Sequence, residues 1–428
     1  MDTQVKRDGR IFWLLLIFLL HIACWLVMKP PVPATDDACY VKCAQDLLKG
    51  DYHLTPSPKD HRLAVIAPTA FFISVFGDGP YVISLWPLIC SLATIAVLYL
   101  FLWSRCGRMV AILAAALLSV NITQVNFSTV LFPDVIVSLF ALLVLLLLFE
   151  RRNEGKIVRN AFLISLFFIL GFLSKEIMVL LLPFILILAV ADVRNKLNKR
   201  FWLSFAFIFT GAILVFIAVY YFFTGSFTFL YDSVRQWHND VFITPAGGEL
   251  LKRYTYEPLV WLFGLLGYFP LLLFAVPQAA FLLTERDAAP AMRHFAVYFL
   301  LLLGVYWFGT SSFSRFAPIP LFERMWMMLL APACALTAFS LDELWKDAGS
   351  KLTFIMLSFF LAVAAIAFVF VSANRAAFFF LFALVIAGIY FLKGKVKLSI
   401  TQKVALSILP WFVLLVWFLA HNSRYLVR

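Results

Sequence analysis

An acidic pair, Asp36-Asp37, stands in the run Pro30-Pro31-Val32-Pro33-Ala34-Thr35-Asp36-Asp37-Ala38-Cys39-Tyr40. An ionised carboxylate near a membrane surface is the kind of group that takes a proton from a hydroxyl. The simpler alternative is an ordinary helix N-cap followed by a solvated acid. His61-Arg62 precedes a short apolar stretch, where a basic pair suits a lipid phosphate or merely anchors the interface. Phe132-Pro133-Asp134 and Ser174-Lys175-Glu176 wedge ionisable residues between apolar runs. Such residues are candidates for function and are usually paired, although Lys175 and Glu176 also suit a tight hairpin turn. His238, Lys252-Arg253 and Arg324 complete the set. Arg324 either snorkels harmlessly or holds a phosphate through two nitrogens.

The elements that must position these groups are membrane helices. The chain has 428 residues, of which 64% are hydrophobic and 14% charged, with a mean hydropathy of +0.96. A soluble domain carries roughly 25% charged residues. Apolar runs of about 17–25 residues recur throughout, long enough to cross a ~30 Å hydrocarbon core as helices. The net charge of +12 comes from short basic connections between those runs, so the positive-inside rule accounts for it without nucleic acid. Cys39 and Cys43 lack a second Cys pair and an intervening His, which argues against zinc.

The expected fold is all-α, a polytopic bundle of about 13 spans. They lie near 11–28, 81–103, 109–124, 135–149, 160–174, 177–191, 201–223, 257–283, 295–310, 325–341, 352–372, 376–392 and 404–420. The first run follows Lys6, Arg7 and Arg10 without a cleavage site, and reads as a retained helix. Leu63–Phe76, with Pro68 at its centre, is short for a span and is expected at the interface. On that parity the N-terminus and the loops 104–108, 150–159, 192–200, 285–293, 343–351 and 393–403 lie inside, with most of the Lys and Arg.

Two long loops, 29–80 and 224–256, then lie outside. In the first, Tyr40, Cys43, Ala44, Leu47 and Leu48 share one helical face, and Gly50 suits the helix end. In the second, Phe227, Leu230, Tyr231, Val234, Trp237, His238 and Val241 make a second interfacial amphipathic helix. The chain reads as one transmembrane domain over 1–428, with C-terminal spans over 346–428 and no soluble domain.

Taken in order, these residues resemble the polyprenyl-phosphate-sugar-dependent membrane glycosyltransferases of the GT-C fold. The likeness is to the protein mannosyltransferase and lipid A aminoarabinose transferase branch, over roughly residues 10–345. Asp36-Asp37 with Tyr40 resembles the family's early acidic pair, with Asp37 in place of its usual Glu. His61-Arg62 and Phe76-Gly77 resemble its basic residue and Phe-Gly, without its prolines. Pro133-Asp134, Ser174-Lys175 with Leu182-Pro183, His238, and Arg324 with Pro332 follow in the family's order.

The resemblance implies an enzyme that takes a sugar from an undecaprenyl- or dolichyl-type phosphate carrier and passes it to an acceptor hydroxyl. Asp36, with Asp37 beside it, would supply the catalytic carboxylate for an inverting displacement. His61, Arg62, Lys175, Arg253 and Arg324 would meet the donor phosphate. Tyr40, Asp134, Glu176 and His238 would line the sugar or acceptor side. The implied acceptor is a lipid-linked glycan, lipid A or a protein, and the implied location is the bacterial inner membrane with an extracytoplasmic site. No cofactor is called for, although some relatives hold a metal near the acids, so a divalent metal stays open. The competing class is a lipid or lipid-linked-sugar flippase. Against it, the charges gather at one face rather than at mid-membrane, and no inverted repeat is evident.

Overall fold

The computed structural model describes residues 2–241, 269–285, 289–310, 323–346, 373–392 and 395–422, together with Ile319, Ser358, Leu361 and Ala362. The described residues form a helical bundle. It opens with α1 (Asp2–Met28), α2 (Asp36–Lys49) and α3 (Leu63–Phe76). A helical turn, Pro80–Ile83, leads into α4 (Leu85–Arg105). Next come α5 (Arg108–Val120), α6 (Ile122–Ser128), α7 (Pro133–Phe149), α8 (Ile157–Ser174), α9 (Leu182–Arg194) and α10 (Lys199–Thr224). α11 (Phe229–Val241), α12 (Phe269–Thr284), α13 (Pro290–Phe308), α14 (Met327–Trp345), α15 (Ala373–Leu392) and α16 (Ile400–Asn422) complete the described set.

Among the described residues, nine helices are long and apolar enough to cross a membrane, or ten if α5 and α6 count as one bent span. The expected thirteen is therefore not reached within them. Span 352–372, apart from Ser358, Leu361 and Ala362, and the first half of 257–283 lie outside the described residues, and Phe379–Leu392 is the shorter apolar part of α15. The expected span 109–124 is corrected. It breaks at Asn121, where α5 and α6 meet at 57°. The Asn121 side-chain oxygen accepts from the backbone N–H groups of Thr123 and Gln124 at 3.0 and 3.3 Å. That caps a new helix instead of continuing the old one.

Burial sorts the helices into centre and rim. The span that ends in α14 is 89% buried inside the protein and the α7 span 78%, against 11% for α10. Small residues explain the centre. Ala111, Ala114 and Ala115 on α5, and Ala333, Ala335 and Ala338 on α14, are fully enclosed and let these two helices pack closely. On α10, Leu203, Phe207, Phe222 and Phe223 point outward, as an apolar solvent permits. A buried polar chain ties the first spans together. Gln124 donates to Ser91 at 2.7 Å, Ser91 meets His21 at 2.8 Å, and His21 reaches the Ser119 carbonyl at 2.9 Å.

The helices of the long connections follow the sequence pattern. α2 ends at Gly50, whose φ of +80° closes the left-handed cap. α3 occupies Leu63–Phe76 with Pro68 inside it and packs on α2. α11 forms where the second amphipathic pattern lies, and it packs on the turn Pro58–His61 of the first loop. The two long connections thus meet at one end of the bundle.

Candidate active site

Asp36 is the first residue of α2, with Thr35 before it at φ −128°, ψ −128°. Its two carboxylate oxygens each face a cation. Oδ1 lies 2.7 Å from Lys59 Nζ, and Oδ2 lies 3.1 Å from Arg324 Nη1. Partial burial pushes the Asp36 carboxyl up. The Lys59 ammonium and Arg324 guanidinium outweigh this and hold it below its ordinary range. Arg324 is itself seated by Phe132, whose ring centroid is 5.0 Å from the guanidinium carbon.

Asp37 is placed differently. Its Oδ1 accepts from Ala34 N, Thr35 N, Thr35 Oγ1 and Ala38 N at 2.8–3.2 Å. The carboxylate is buried and braces the entry to α2. Of the acidic pair, Asp36 faces the cations and Asp37 faces its own loop.

The neighbours His61 and Arg62 also part company. Arg62 turns inward. Nη2 lies 3.0 Å from Glu176 Oε2, and Nη1 donates to the hydroxyl of the fully buried Tyr40. Burial alone would lower the Arg62 pKa, but Glu176 and Tyr40 raise it further above its ordinary value. His61 instead stacks on Tyr220 of α10, with centroids 5.6 Å apart and planes at 15°, and touches Phe229 of α11 at 5.5 Å. Its Nε2 donates to the Thr55 carbonyl at 3.0 Å, and burial pushes the imidazole pKa down. A neutral ring pinned between two aromatic residues does not suit a phosphate. Of the two neighbours, Arg62 is the one whose charge is set into the site.

Lys175 and Glu176 diverge for a backbone reason. α8 ends at Ser174, and Lys175 is extended at φ −164°, ψ 138° before the tight turn Glu176–Leu181. Successive side chains on extended backbone point to opposite sides. Lys175 reaches Asp134 Oδ1 at 2.5 Å and Met325 Sδ at 3.2 Å, while Glu176 reaches Arg62. Met178 packs directly on Gly171, where a Cβ would meet its Sδ at 2.8 Å. Asp134 stands in the first turn of α7, where Pro133 starts the helix and the helix dipole favours a carboxylate. Burial lowers the Lys175 pKa, Asp134 raises it, and the positive charges of Arg62 and Arg324 lower it again. Those last two influences join the pairs into one cluster.

Sequence reasoning missed Lys59, Glu323 and Thr123. Lys59 sits in the turn Pro58–His61, held by its neighbour Asp60, which accepts from Cys43 Sγ at 3.4 Å and from Thr55 Oγ1. Thr123 Oγ1 donates to Glu323 beside Arg324. The polar pair Glu323-Arg324 ahead of an apolar helix was the available signal for Glu323. Arg253 lies outside the described residues, and His238 lies on α11 with its side chain outside them. Among the described residues no three His, Cys, Asp or Glu side chains converge as a metal would need. The donor chemistry also does not fit a divalent ion, because Asp36, Asp134 and Glu176 each already face a cation.

Residues 60–222 match the family model of dolichyl-phosphate-mannose-protein mannosyltransferase. No curated protein sequence matches the chain significantly. Among solved structures, the chain is similar to ArnT from Cupriavidus metallidurans in the apo state. The TM-score is 0.62 at 15% identity, covering 97% of this chain and 78% of that one. The undecaprenyl phosphate complex of the same ArnT gives 0.61 at 14% identity, covering 96% and 77%. The oligosaccharyltransferase AglB from Archaeoglobus fulgidus, in complex with an inhibitory peptide and a dolichol-phosphate, gives 0.55 at 14% identity, covering 97% of this chain and 56% of that one. At these identities the structural likeness carries the fold. The matched segment lies within the stretch that shares this fold with ArnT and AglB.

Proposed function

We propose that the chain transfers a sugar from a polyprenyl-phosphate carrier to an acceptor hydroxyl, with Asp36 as the base. The observation that carries this reading is the Asp36 carboxylate set between Lys59 and Arg324, next to the Arg62 and Lys175 cations. The base stays ionised because two cations favour its charge. The acceptor oxygen attacks the anomeric carbon as its proton passes to an Asp36 oxygen. The carbon–oxygen bond to phosphate breaks on the opposite face, which inverts the anomeric centre. The electron pair leaves with the polyprenyl phosphate.

The departing phosphate gains charge, and preorganised cations stabilise that charge without reorganising. Arg62, Lys175 and Arg324 supply them in this reading. Besides His61 Nδ1, two buried polar atoms beside them are unspent, Arg62 Nε and Asp134 Oδ2. The first is a donor suited to a phosphate oxygen, and the second an acceptor suited to a sugar hydroxyl. ArnT bound to undecaprenyl phosphate and AglB in complex with a dolichol-phosphate support a carrier of this chemical kind. The basic loops gather at the other end of the bundle, which supports an extracytoplasmic site under the positive-inside rule. Loss of label from a polyprenyl-phosphate sugar, seen with the wild type and absent with Asp36→Asn, tests the reading.

A further inference from the structure

α7 starts at the Asp134–Lys175 pair and runs 17 residues to Phe149, so its far end lies about 25 Å from the candidate active site. A cavity of about 470 Å³ opens there, between the end of α7, α9 and the start of α13. Four arginines line it: Arg105, Arg151, Arg152 and Arg293. Glu150 is the one acid in the lining, and it pairs with Arg105.

The arginines have separate duties. Arg151 is structural. It is nearly enclosed and grips Asp192 through Nε at 2.6 Å and Nη2 at 3.1 Å. Asn198 and Trp202 also donate to Asp192, at 2.9 and 3.1 Å. That carboxylate is therefore spent. Arg152 reaches it only at 3.8 Å, and its side chain is 64% exposed. Two guanidinium groups share one carboxylate, so the cavity mouth keeps a surplus of positive charge. Arg105, 44% exposed and seated over the Phe149 ring at 5.5 Å, stands on the same mouth.

The deep wall is apolar. Leu188 and Val297 line it, and each stands six or seven positions in from its helix end at Arg194 or Pro290. At about 1.5 Å per residue, that is roughly 10 Å into the bundle. His294 closes the floor, its Nε2 spent on the Leu145 carbonyl at 2.9 Å and its ring packed edge-on against Phe149 and Phe184. Cations at the loop level with an apolar wall below suit an amphiphile better than a free anion. Basic pockets between membrane helices take anionic lipid headgroups on these grounds.

We propose that this cavity binds an anionic phospholipid, its phosphate at Arg105 and Arg152 and an acyl chain along Leu188 and Val297. The test is native mass spectrometry of the full-length protein, released from detergent after titration with phosphatidylglycerol or phosphatidylcholine. Wild type is expected to retain phosphatidylglycerol at least tenfold over phosphatidylcholine. Arg105→Gln/Arg152→Gln is expected to retain the two alike. Thermal melting in lipid-free detergent checks that the double variant is folded. If it is not, Arg152→Gln alone is expected to lower the preference several-fold, because that side chain is exposed and holds little together. Equal retention of both lipids by wild type would overturn the proposal, as would an unchanged preference in the folded variants. Full displacement of phosphatidylglycerol by millimolar inorganic phosphate would also overturn it, by assigning the site to a free anion.

Discussion

Asp36 Oδ2 and Arg324 Nη1 meet at 3.1 Å although the two residues stand 288 positions apart. The contact joins the first long connection to the turn before α14, the most enclosed of the described spans. A second contact, from Lys59, completes the clamp on the same carboxylate. The candidate base is therefore assembled only when the first long loop docks on the centre of the fold.

The clamp has a consequence for pH. Burial raises the Asp36 pKa, but Lys59 and Arg324 bring it below its ordinary 3.8. A group with a depressed folded pKa keeps its charge, and the stability that charge confers, above its unfolded pKa, and loses both as pH falls through the folded value. Turnover of the wild type should thus stay flat down to about pH 4, with the acid limb below that. Lys59→Gln removes one of the two cations and should move the limb upward. An acid limb at the same pH in both proteins would show that Lys59 does not set the charge of Asp36.

His61 and Arg62 should separate cleanly. His61→Phe keeps an aromatic ring between Tyr220 and Phe229 and should leave the KM for donor within about twofold. Arg62→Gln removes the guanidinium that faces Glu176 and Tyr40 and should cost on the order of tenfold or more in donor kcat/KM, the worth of one charged hydrogen bond at 1.5–3 kcal/mol. Donor kinetics on the two variants decide the assignment, and a larger loss in His61→Phe than in Arg62→Gln would reverse it.

Lys175 carries a structural duty as well as its proposed one. The Lys175 and Asp134 side chains are 8% and 2% exposed, and breaking such a pair costs about 3–5 kcal/mol because one charge is left buried. Lys175→Met should lower the melting temperature sharply. Lys175→Met/Asp134→Leu should recover most of that loss without recovering donor turnover. Recovery of turnover along with stability would make the pair purely structural.

Much of this arrangement was legible in the sequence because it is local. The length of α3, its proline, the Gly50 cap and the start of α7 at Pro133 follow from composition and spacing within a few residues. The break at Asn121 was readable in principle, since Asn is a strong helix cap, but the apolar run on both sides hid it. The split between His61 and Arg62 was not readable. It depends on Tyr220 stacking from 159 positions away. Lys59 looked like one solvated lysine among many, and only the fold of the loop around Asp60 brings it to Asp36.

The orientation of the bundle can be read directly. Leu230→Cys and Val396→Cys, each in a background without the six native cysteines, should react with a membrane-impermeant maleimide from opposite sides of sealed vesicles. Reaction of both from one side would reverse the placement of the candidate site.

The central claim is that Asp36 drives release of a sugar from a polyprenyl-phosphate carrier. Purified wild type and Asp36→Asn would be incubated with radiolabelled polyprenyl-phosphate sugars and an envelope-derived acceptor fraction. Loss of label from the lipid would be followed with time. The account predicts release by wild type, with a fall of about 10²–10⁴-fold in Asp36→Asn, the usual worth of a general base, while both proteins melt at similar temperatures. Equal release by the two proteins would contradict the assignment of the base. Intact lipid-linked sugar carried across vesicle membranes, with no release, would contradict the transferase reading itself.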